Sequence, residues 1–260
     1  MSAENRKRVI QRGLCAITAL VSIYQNLKGF PVVINNLERF DEGCVQENSK
    51  LEDVFVNTII VPGSTNVITA EGEVIPDTVM RGRLEAAAIL YVSSRERGLG
   101  PRVVILNSPW EHNNWSTVSY FREVVHEISG GKYCPHRVES NEASINTSSG
   151  TAIVKEMSEQ SDLGVIAFVT NQTHTCRQDA SAGIYEIPNY RVFSAEDLIG
   201  LKTGSDPIVL QFDVKGKERT KLLMMLFDNH SILANLFKAM FKSMQNFDWD
   251  KFGSYSALLK

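Results

Sequence analysis

A histidine and an arginine, His174 and Arg177, stand three residues apart, shortly after an apolar run from Val165 to Val169. Histidine can act as a general acid or base near neutral pH, and arginine is the apt donor to phosphate and carboxylate groups. The run has the length and β-branched content of a strand buried on both faces, and a helix can begin at about His174. In open α/β sheets, ligands bind beyond the carboxyl ends of such strands, so the sequence predicts a site here.

Three other polar segments also follow predicted strands, at Gly63 to Thr65, Asn107 to His112 and Ser144 to Thr147. All four segments are expected at one edge of the sheet, where helix N-termini and arginine side chains suit a phosphate or carboxylate ligand. The predicted site has His174 as its catalytic residue and, as ligand-binding residues, Gly63, Ser64, Thr65, Arg83, Asn107, Ser144, Asn146, Thr147, Thr170 and Arg177. The alternative is that His174 and the Ser144 to Thr147 segment only cap helices.

The elements that must position these residues alternate between strands and helices, which predicts a doubly wound, Rossmann-like, mostly parallel α/β sheet with helices on both faces. The predicted strands are 54–61, 102–106, 136–138, 164–169, 191–193 and 208–214, with a hairpin at 67–69 and 74–75. The predicted helices are 6–27, 78–97, 117–128, 147–161, 174–183 and 219–244, and Phe30 to Ile34 is expected to be a strand or an extended connector. Residues 1–50 then form an N-terminal helix and connector packed on a main domain of residues 51–260.

Composition excludes several classes of function. The chain has 260 residues, a formal net charge of -3 and no long block of one charge, so nucleic-acid binding by electrostatics is not expected. The four cysteines form no Cys-x-x-Cys pair and the five histidines lack metal-ligand spacing, so reduced thiols in a cytosol and no structural metal are predicted. Dinucleotide, P-loop, α/β-hydrolase and zincin motifs are absent from the sequence.

The basic residues from Arg6 to Arg12 precede an apolar run from Gly13 to Tyr24, which has the outline of a signal peptide or short anchor. The run is shorter than the roughly 20 apolar residues that span a bilayer, so the sequence favours a helix packed on a cytoplasmic protein. Contact of this helix with a membrane surface is the alternative. A second apolar stretch, from Leu222 to Phe241, is dense enough for an oligomer interface, although core packing is the more common use.

Four short patterns occur in a fixed order: a strand ending near Gly63, Arg-x-x-x-Ala at Arg83 to Ala87, Ser-x-Asn-Thr at Ser144 to Thr147, and Val-Thr-x-x-x-His-x-x-Arg at Val169 to Arg177. In this respect the chain resembles the YdcF-like family, which includes the SanA and ElyC proteins, over about Val54 to Ile199. The sequence departs from the family pattern in its glycine-poor turns after the first two strands and in Ser149-Gly150 after the Asn-Thr pair.

The resemblance implies a Rossmann-like fold and a polar site that contains Ser144, Asn146, Thr147, Thr170, His174 and Arg177. Family members are associated with S-adenosylmethionine binding and with envelope glycan or lipid-carrier metabolism, without one common reaction. The expected function is therefore binding of a nucleotide-like or phosphorylated small molecule, with S-adenosylmethionine or a nucleotide as the expected cofactor class and catalysis left open. The alternative is a noncatalytic scaffold that uses its terminal helices for partner or oligomer contacts.

Overall fold

The structure, a computed structural model, describes residues 31–36, 38–39, 55–63, 66–72, 74–107, 114–144 and 146–203. The predicted opening helix at 6–27, the predicted sixth strand at 208–214 and the predicted final helix at 219–244 lie outside these residues. So do Ser64 and Thr65 of the predicted site.

The core of the fold is a parallel five-stranded sheet with the order β5-β4-β1-β6-β7. Its strands are β1 (Thr58–Pro62), β4 (Arg102–Leu106), β5 (Val138–Asn141), β6 (Ile166–Thr170) and β7 (Tyr190–Ser194). A separate antiparallel hairpin pairs β2 (Asn66–Ile68) with β3 (Val74–Pro76). The strand order reverses direction between β1 and β6, which makes their carboxyl ends the topological switch point of the sheet.

Five helices are labelled here: α1 (Thr78–Glu96), α2 (Asn114–Ile128), α3 (Thr147–Gln160), α4 (Gln172–Ile184) and α5 (Ala195–Thr203). The helix α1 packs against α2 and α5, whereas α3 packs against α4. This division places helices on both faces of the sheet. The prediction of a Rossmann-like α/β fold is confirmed.

The two faces of the sheet bury separate apolar clusters, because side chains alternate along each strand. On the first face, Ile59, Val103 and Val169 pack with Leu84 of α1 and Phe121 of α2. On the second face, the buried cluster contains Ile60, Val104, Leu106, Ile166, Phe168, Val192, Val154 and Ala182. The helices α3 and α4 cover this second face, so residues at their N-termini lie at the carboxyl edge of the sheet.

The start of one helix and the start of one strand follow from local contacts of residues in the sequence. The side chain of Asp77 accepts a hydrogen bond from the Met80 amide and caps α1, as predicted. Gly164 has φ +60, and a Cβ there would lie 2.5 Å from the side chain of Asn57. The Asn57 side chain also accepts from the Val165 amide at 2.9 Å, so this glycine fixes the entry into β6.

The structure corrects four sequence predictions. Residues 31–36 are helical, whereas the sequence predicted a strand or an extended connector from Phe30 to Ile34. Val33, one of the β-branched residues that suggested a strand, is 0% exposed, so tertiary packing overrides its β propensity here. The strand β1 begins at Thr58 rather than Val54, and β5 begins at Val138 rather than His136. The helix α5 was not predicted, because the chain enters it directly from β7 without a loop.

Among the helices of the described residues, none is long and apolar enough to cross a bilayer.

Cys134 is an exposed free thiol, and Cys176, which is 1% exposed, is disulfide-bonded. The expectation that all thiols are reduced is therefore wrong for Cys176, whose scattered spacing in the sequence gave no sign of a cross-link.

Candidate functional site

Three side chains from α3 and α4 meet at the carboxyl edge of the sheet. Arg177 donates from Nη1 to the hydroxyl oxygen of Thr147 at 2.8 Å, and its Nη2 contacts Nδ1 of His174. The Nε2 of His174 lies 3.3 Å from the same hydroxyl oxygen. His174 is 6% exposed, while Thr147 and Arg177 are half-buried and accessible from solvent. We call these three residues the Thr-His-Arg cluster.

The guanidinium of Arg177 fixes the tautomer of His174. Arginine carries only donors and stays protonated, so the Nδ1 of His174 that it contacts must be an acceptor. The proton of a neutral ring is then on Nε2, which donates to Thr147. Both ring nitrogens of His174 are thus engaged, and proton transfer by this residue requires that one of these contacts first breaks.

The first turn of α3 is held against the sheet edge by its own sequence. The side chain of Asn146 accepts from the Ser149 amide and Ser149 Oγ accepts from the Asn146 amide, each at 2.9 Å, in a reciprocal capping box. A Cβ on the buried Gly150 would lie 2.8 Å from Ser144 Oγ and 3.2 Å from Leu106. Asn146 therefore acts as a helix cap, the alternative considered for it, and Gly150 lets α3 approach the end of β4.

A buried polar contact behind the cluster joins α3 to α4. The hydroxyl of Thr151 donates to the Thr147 carbonyl at 2.8 Å and accepts from Ser181 Oγ at 2.8 Å and Gln178 Nε2 at 3.2 Å. Thr151, Gln178 and Ser181 are each no more than 2% exposed. Because the Thr-His-Arg cluster is built from the same two helices, this contact sets the distance between its members.

Arg83 reaches the switch point from the opposite face. It is 5% exposed and donates from Nη1 to the carbonyls of Pro62 and Gly63, both at 2.8 Å, and from Nη2 to the side-chain oxygen of Asn171. It therefore joins the end of β1 to the residue that follows β6. A Cβ on Gly63 would lie 2.1 Å from the Leu106 carbonyl oxygen, so β1 and β4 also touch closely here.

Two further residues of the predicted site are fully buried, Asn107 after β4 and Thr170 at the end of β6. Asn107 Nδ2 donates to Thr117 and Ser140, both at 3.0 Å, and its carbonyl accepts from the Ser144 amide at 3.2 Å. Among the described residues, no hydrogen-bond partner is found for Asn107 Oδ1 or for Thr170 Oγ1. Such buried groups are uncommon in folded proteins, and ligand sites are one place where they occur.

The N-terminus of α4 carries an internal carboxylate. Glu196, which is 2% exposed, accepts from the Gln172 amide at 2.7 Å and from Ser194 Oγ at 3.2 Å. A negative charge at this position complements the partial positive charge of the helix end. One of the amides that an external anion would use at α4 is therefore already occupied.

The structure brings three of the predicted residues into direct contact, Thr147, His174 and Arg177, and it gives Arg83, Asn107, Ser144 and Asn146 contacts within the protein. Sequence reasoning missed Asn171, Glu196 and Thr151. The position of Asn171 directly after β6 was a usable signal, whereas Glu196 and Thr151 reach the site only through the tertiary fold. Within the described ranges, no group of three His, Cys, Asp or Glu residues is arranged to hold a metal ion.

No protein-family model, no curated protein and no solved structure matches this chain.

Proposed function

We propose that the protein binds a small molecule through a phosphate or carboxylate group at the carboxyl edge of its sheet, between the N-termini of α3 and α4. The observation that carries this proposal is the half-buried contact of Arg177 with Thr147 and His174. It combines a permanent positive charge, a hydroxyl and an imidazole at an edge where α/β proteins bind ligands.

The helix geometry supports an anionic group. Thr147 is the first residue of α3, and the amides of a helix's first turn have no acceptor within the helix. A bound anion therefore gains both amide donors and the favourable end of the helix dipole. The capping box orders this end of α3, because the Asn146 side chain accepts a hydrogen bond from the Ser149 amide.

The ligand class that we propose is nucleotide-like, of the S-adenosylmethionine type, or otherwise phosphorylated. Membership of the YdcF-like family is part of the same proposal and rests on the order of the four sequence patterns alone. If the protein is an enzyme, His174 is the residue to act in proton transfer, after its contact with Thr147 or Arg177 opens. The proposal for binding does not depend on catalysis.

Isothermal titration of the full chain with S-adenosylmethionine, nucleotides and sugar nucleotides tests the proposal. We expect saturable binding of at least one compound and a loss of affinity of at least about tenfold in Arg177→Ala, since a hydrogen bond to a charged group contributes about 1.5–3 kcal/mol. Arg191→Ala is the matched control, because it removes the same charge from an exposed position on β7. Equal binding by wild type and Arg177→Ala, or binding by neither, would reject the proposed site.

A further inference from the structure

The disulfide bond of Cys176 ties α4 to a distant part of the chain. Cys176 lies in the second turn of α4, directly before Arg177, and is 1% exposed. It is disulfide-bonded, whereas Cys134 is a free thiol. The sequence contains four cysteines in all, so the bonding partner within this chain is Cys15 or Cys44. Both candidates lie outside the described residues.

The described N-terminal residues pack along one face of α4. Asp179 forms an ion pair with Arg39 at 2.5 Å. A Cβ on Gly183 would lie 2.8 Å from Cγ1 of Val32, so these two residues are neighbours. Positions 176, 179 and 183 are separated by three and four residues and therefore share one face of the helix. Cys176 thus belongs to the face that the N-terminal residues cover, one turn closer to the start of α4.

The order of these contacts distinguishes the two candidate cysteines. The chain contacts Gly183 at Val32, and seven residues later, at Arg39, it contacts a residue one turn closer to the start of α4. One more turn in that direction leads to Cys176. Cys44 follows Arg39 by five residues, which can span up to about 17 Å, whereas a helical turn rises only about 5.4 Å. The other candidate precedes Val32 in the chain, and Val32 is the contact farther from Cys176.

From this order of contacts we infer that Cys44 is the disulfide partner of Cys176, and that the bond is a redox-sensitive cross-link between the N-terminal segment and α4. A disulfide requires Cα atoms about 4.4–6.8 Å apart, a distance typical of segments that already pack together. Reduction by a dithiol transfers two electrons and two protons to the S–S bond. It leaves one thiol on each cysteine and converts the dithiol to its own disulfide.

The cross-link attaches α4 close to the Thr-His-Arg cluster. The start of α4 is also attached to α1, through the contact of Arg83 with Asn171, and to α5, through the bond from the Gln172 amide to Glu196. The disulfide of Cys176 adds an attachment to the N-terminal segment. Because local opening depends on the contacts of the helix turn involved, we expect reduction to increase the opening of the first turns of α4.

Peptide mapping of the wild-type full chain decides the connectivity. Free thiols are alkylated in denaturant before digestion, and trypsin places each cysteine in a different peptide, because lysine or arginine residues separate them all. We expect mass spectrometry to find residues 40–50 linked to residues 156–177, with the other two cysteines alkylated. A cross-link of Cys176 to Cys15 or Cys134, or alkylation of Cys176, overturns the inference.

Hydrogen exchange of the folded protein tests the effect of the cross-link. We expect dithiothreitol to speed exchange at residues 172–177 of the wild type by at least about threefold and to leave β4 unchanged. Cys44→Ala should show the faster exchange without reductant and no further change with it, whereas the control Cys134→Ala should behave as the wild type.

Three results of the exchange experiment overturn the inference. They are exchange in α4 that is insensitive to reduction, an equal acceleration in β4, and exchange in Cys44→Ala that matches the oxidised wild type. The comparison of oxidised and reduced wild type needs no variant, so it decides the matter even where Cys44→Ala does not fold. Neither experiment uses a ligand, so failure here leaves the proposed function standing.

Discussion

The guanidinium of Arg83 donates to the side-chain oxygen of Asn171 and thereby connects α1 to the turn between β6 and α4. The same guanidinium donates to the carbonyls of Pro62 and Gly63 at the end of β1. In a doubly wound sheet this crevice between the two central strands is where ligands are bound. Here the Arg83 side chain occupies the α1 side of that crevice.

The first prediction concerns this clamp. Arg83→Met fills similar volume but removes the donor to the Pro62 and Gly63 carbonyls and to the Asn171 side-chain oxygen. We expect the free energy of unfolding to fall by about 3 kcal/mol, since a buried acceptor that loses its donor costs about 1–3 kcal/mol. Denaturant unfolding at neutral pH measures this change.

Arg81→Met is the matched control, since Arg81 lies on the same helix. It is only half-buried, donates to the Pro76 carbonyl at 2.9 Å and stacks 5.8 Å from the centre of the Tyr120 ring. We expect a cost of about 1 kcal/mol for these contacts. A loss for Arg83→Met no larger than that for Arg81→Met would show that the clamp does not stabilise the switch point.

Much of the sheet could be predicted from the sequence because its strands are buried on both faces. After its first residue the run Arg102 to Leu106 is continuously apolar, with three β-branched residues in succession, and the structure gives the strand the same bounds. The cap at Asp77 could also be predicted, because an aspartate directly before a segment whose apolar residues recur every 3.6 positions is a local signal for a helix start. The helix at 31–36 could not be predicted in this way, because Pro31, Val32 and Val33 have the composition of an extended segment. Val33 is 0% exposed, so its conformation depends on tertiary packing rather than on local propensity.

For the site, the spacing of His174 and Arg177 was informative because residues three apart share one face of a helix. Their contact with Thr147 depends on how α3 packs on α4, and no local pattern specifies that distance. The burial of the Arg83 side chain also could not be predicted from the sequence. An arginine in an amphipathic helix is usually solvated, and only the tertiary structure shows that this side chain is 5% exposed.

The second prediction concerns the contact between the ends of β1 and β4. In Gly63→Ala the new Cβ would lie 2.1 Å from the Leu106 carbonyl oxygen, a backbone atom that cannot move without shifting β4. We expect a loss of about 1–3 kcal/mol in the free energy of unfolding, the usual range for overpacking. Gly100→Ala is the control, because its nearest neighbour is the flexible end of Arg95 at 3.1 Å. Equal stability of the two variants would contradict the prediction.

The third prediction concerns the carboxylate at the start of α4. Glu196→Ala removes the acceptor of the Gln172 amide and of Ser194, and we expect it to lower the free energy of unfolding by about 2–3 kcal/mol. Glu196→Gln keeps a side-chain oxygen but loses the charge, so its cost should be smaller, about 1 kcal/mol for the interaction with the helix dipole. Chemical denaturation gives both values, and hydrogen exchange of the Gln172 amide reports the local contact. A larger loss for the glutamine variant than for the alanine variant would refute this account.

The last prediction is a pH dependence at the packing of α1 on α2. Burial, and secondarily the charge of Glu127, raise the pKa of Glu85. A carboxyl group whose folded pKa is raised favours the folded state in its protonated form. Its ionised form therefore destabilises the fold, with no penalty below the unfolded pKa of about 4.3 and the full penalty above the raised folded pKa.

Glu85→Gln removes this penalty, so we expect the variant to be more stable than the wild type at pH 7, by about 0.5 kcal/mol, the scale of exposed charge interactions. The difference should shrink as the pH falls and disappear below about pH 4, where Glu85 is protonated in both states. Glu142→Gln is the control, since it makes the same substitution at an exposed position. Thermal unfolding of the three proteins between neutral and acid pH makes the comparison. A stability difference for Glu85→Gln that stays constant across this range would mean that its origin is packing rather than ionisation.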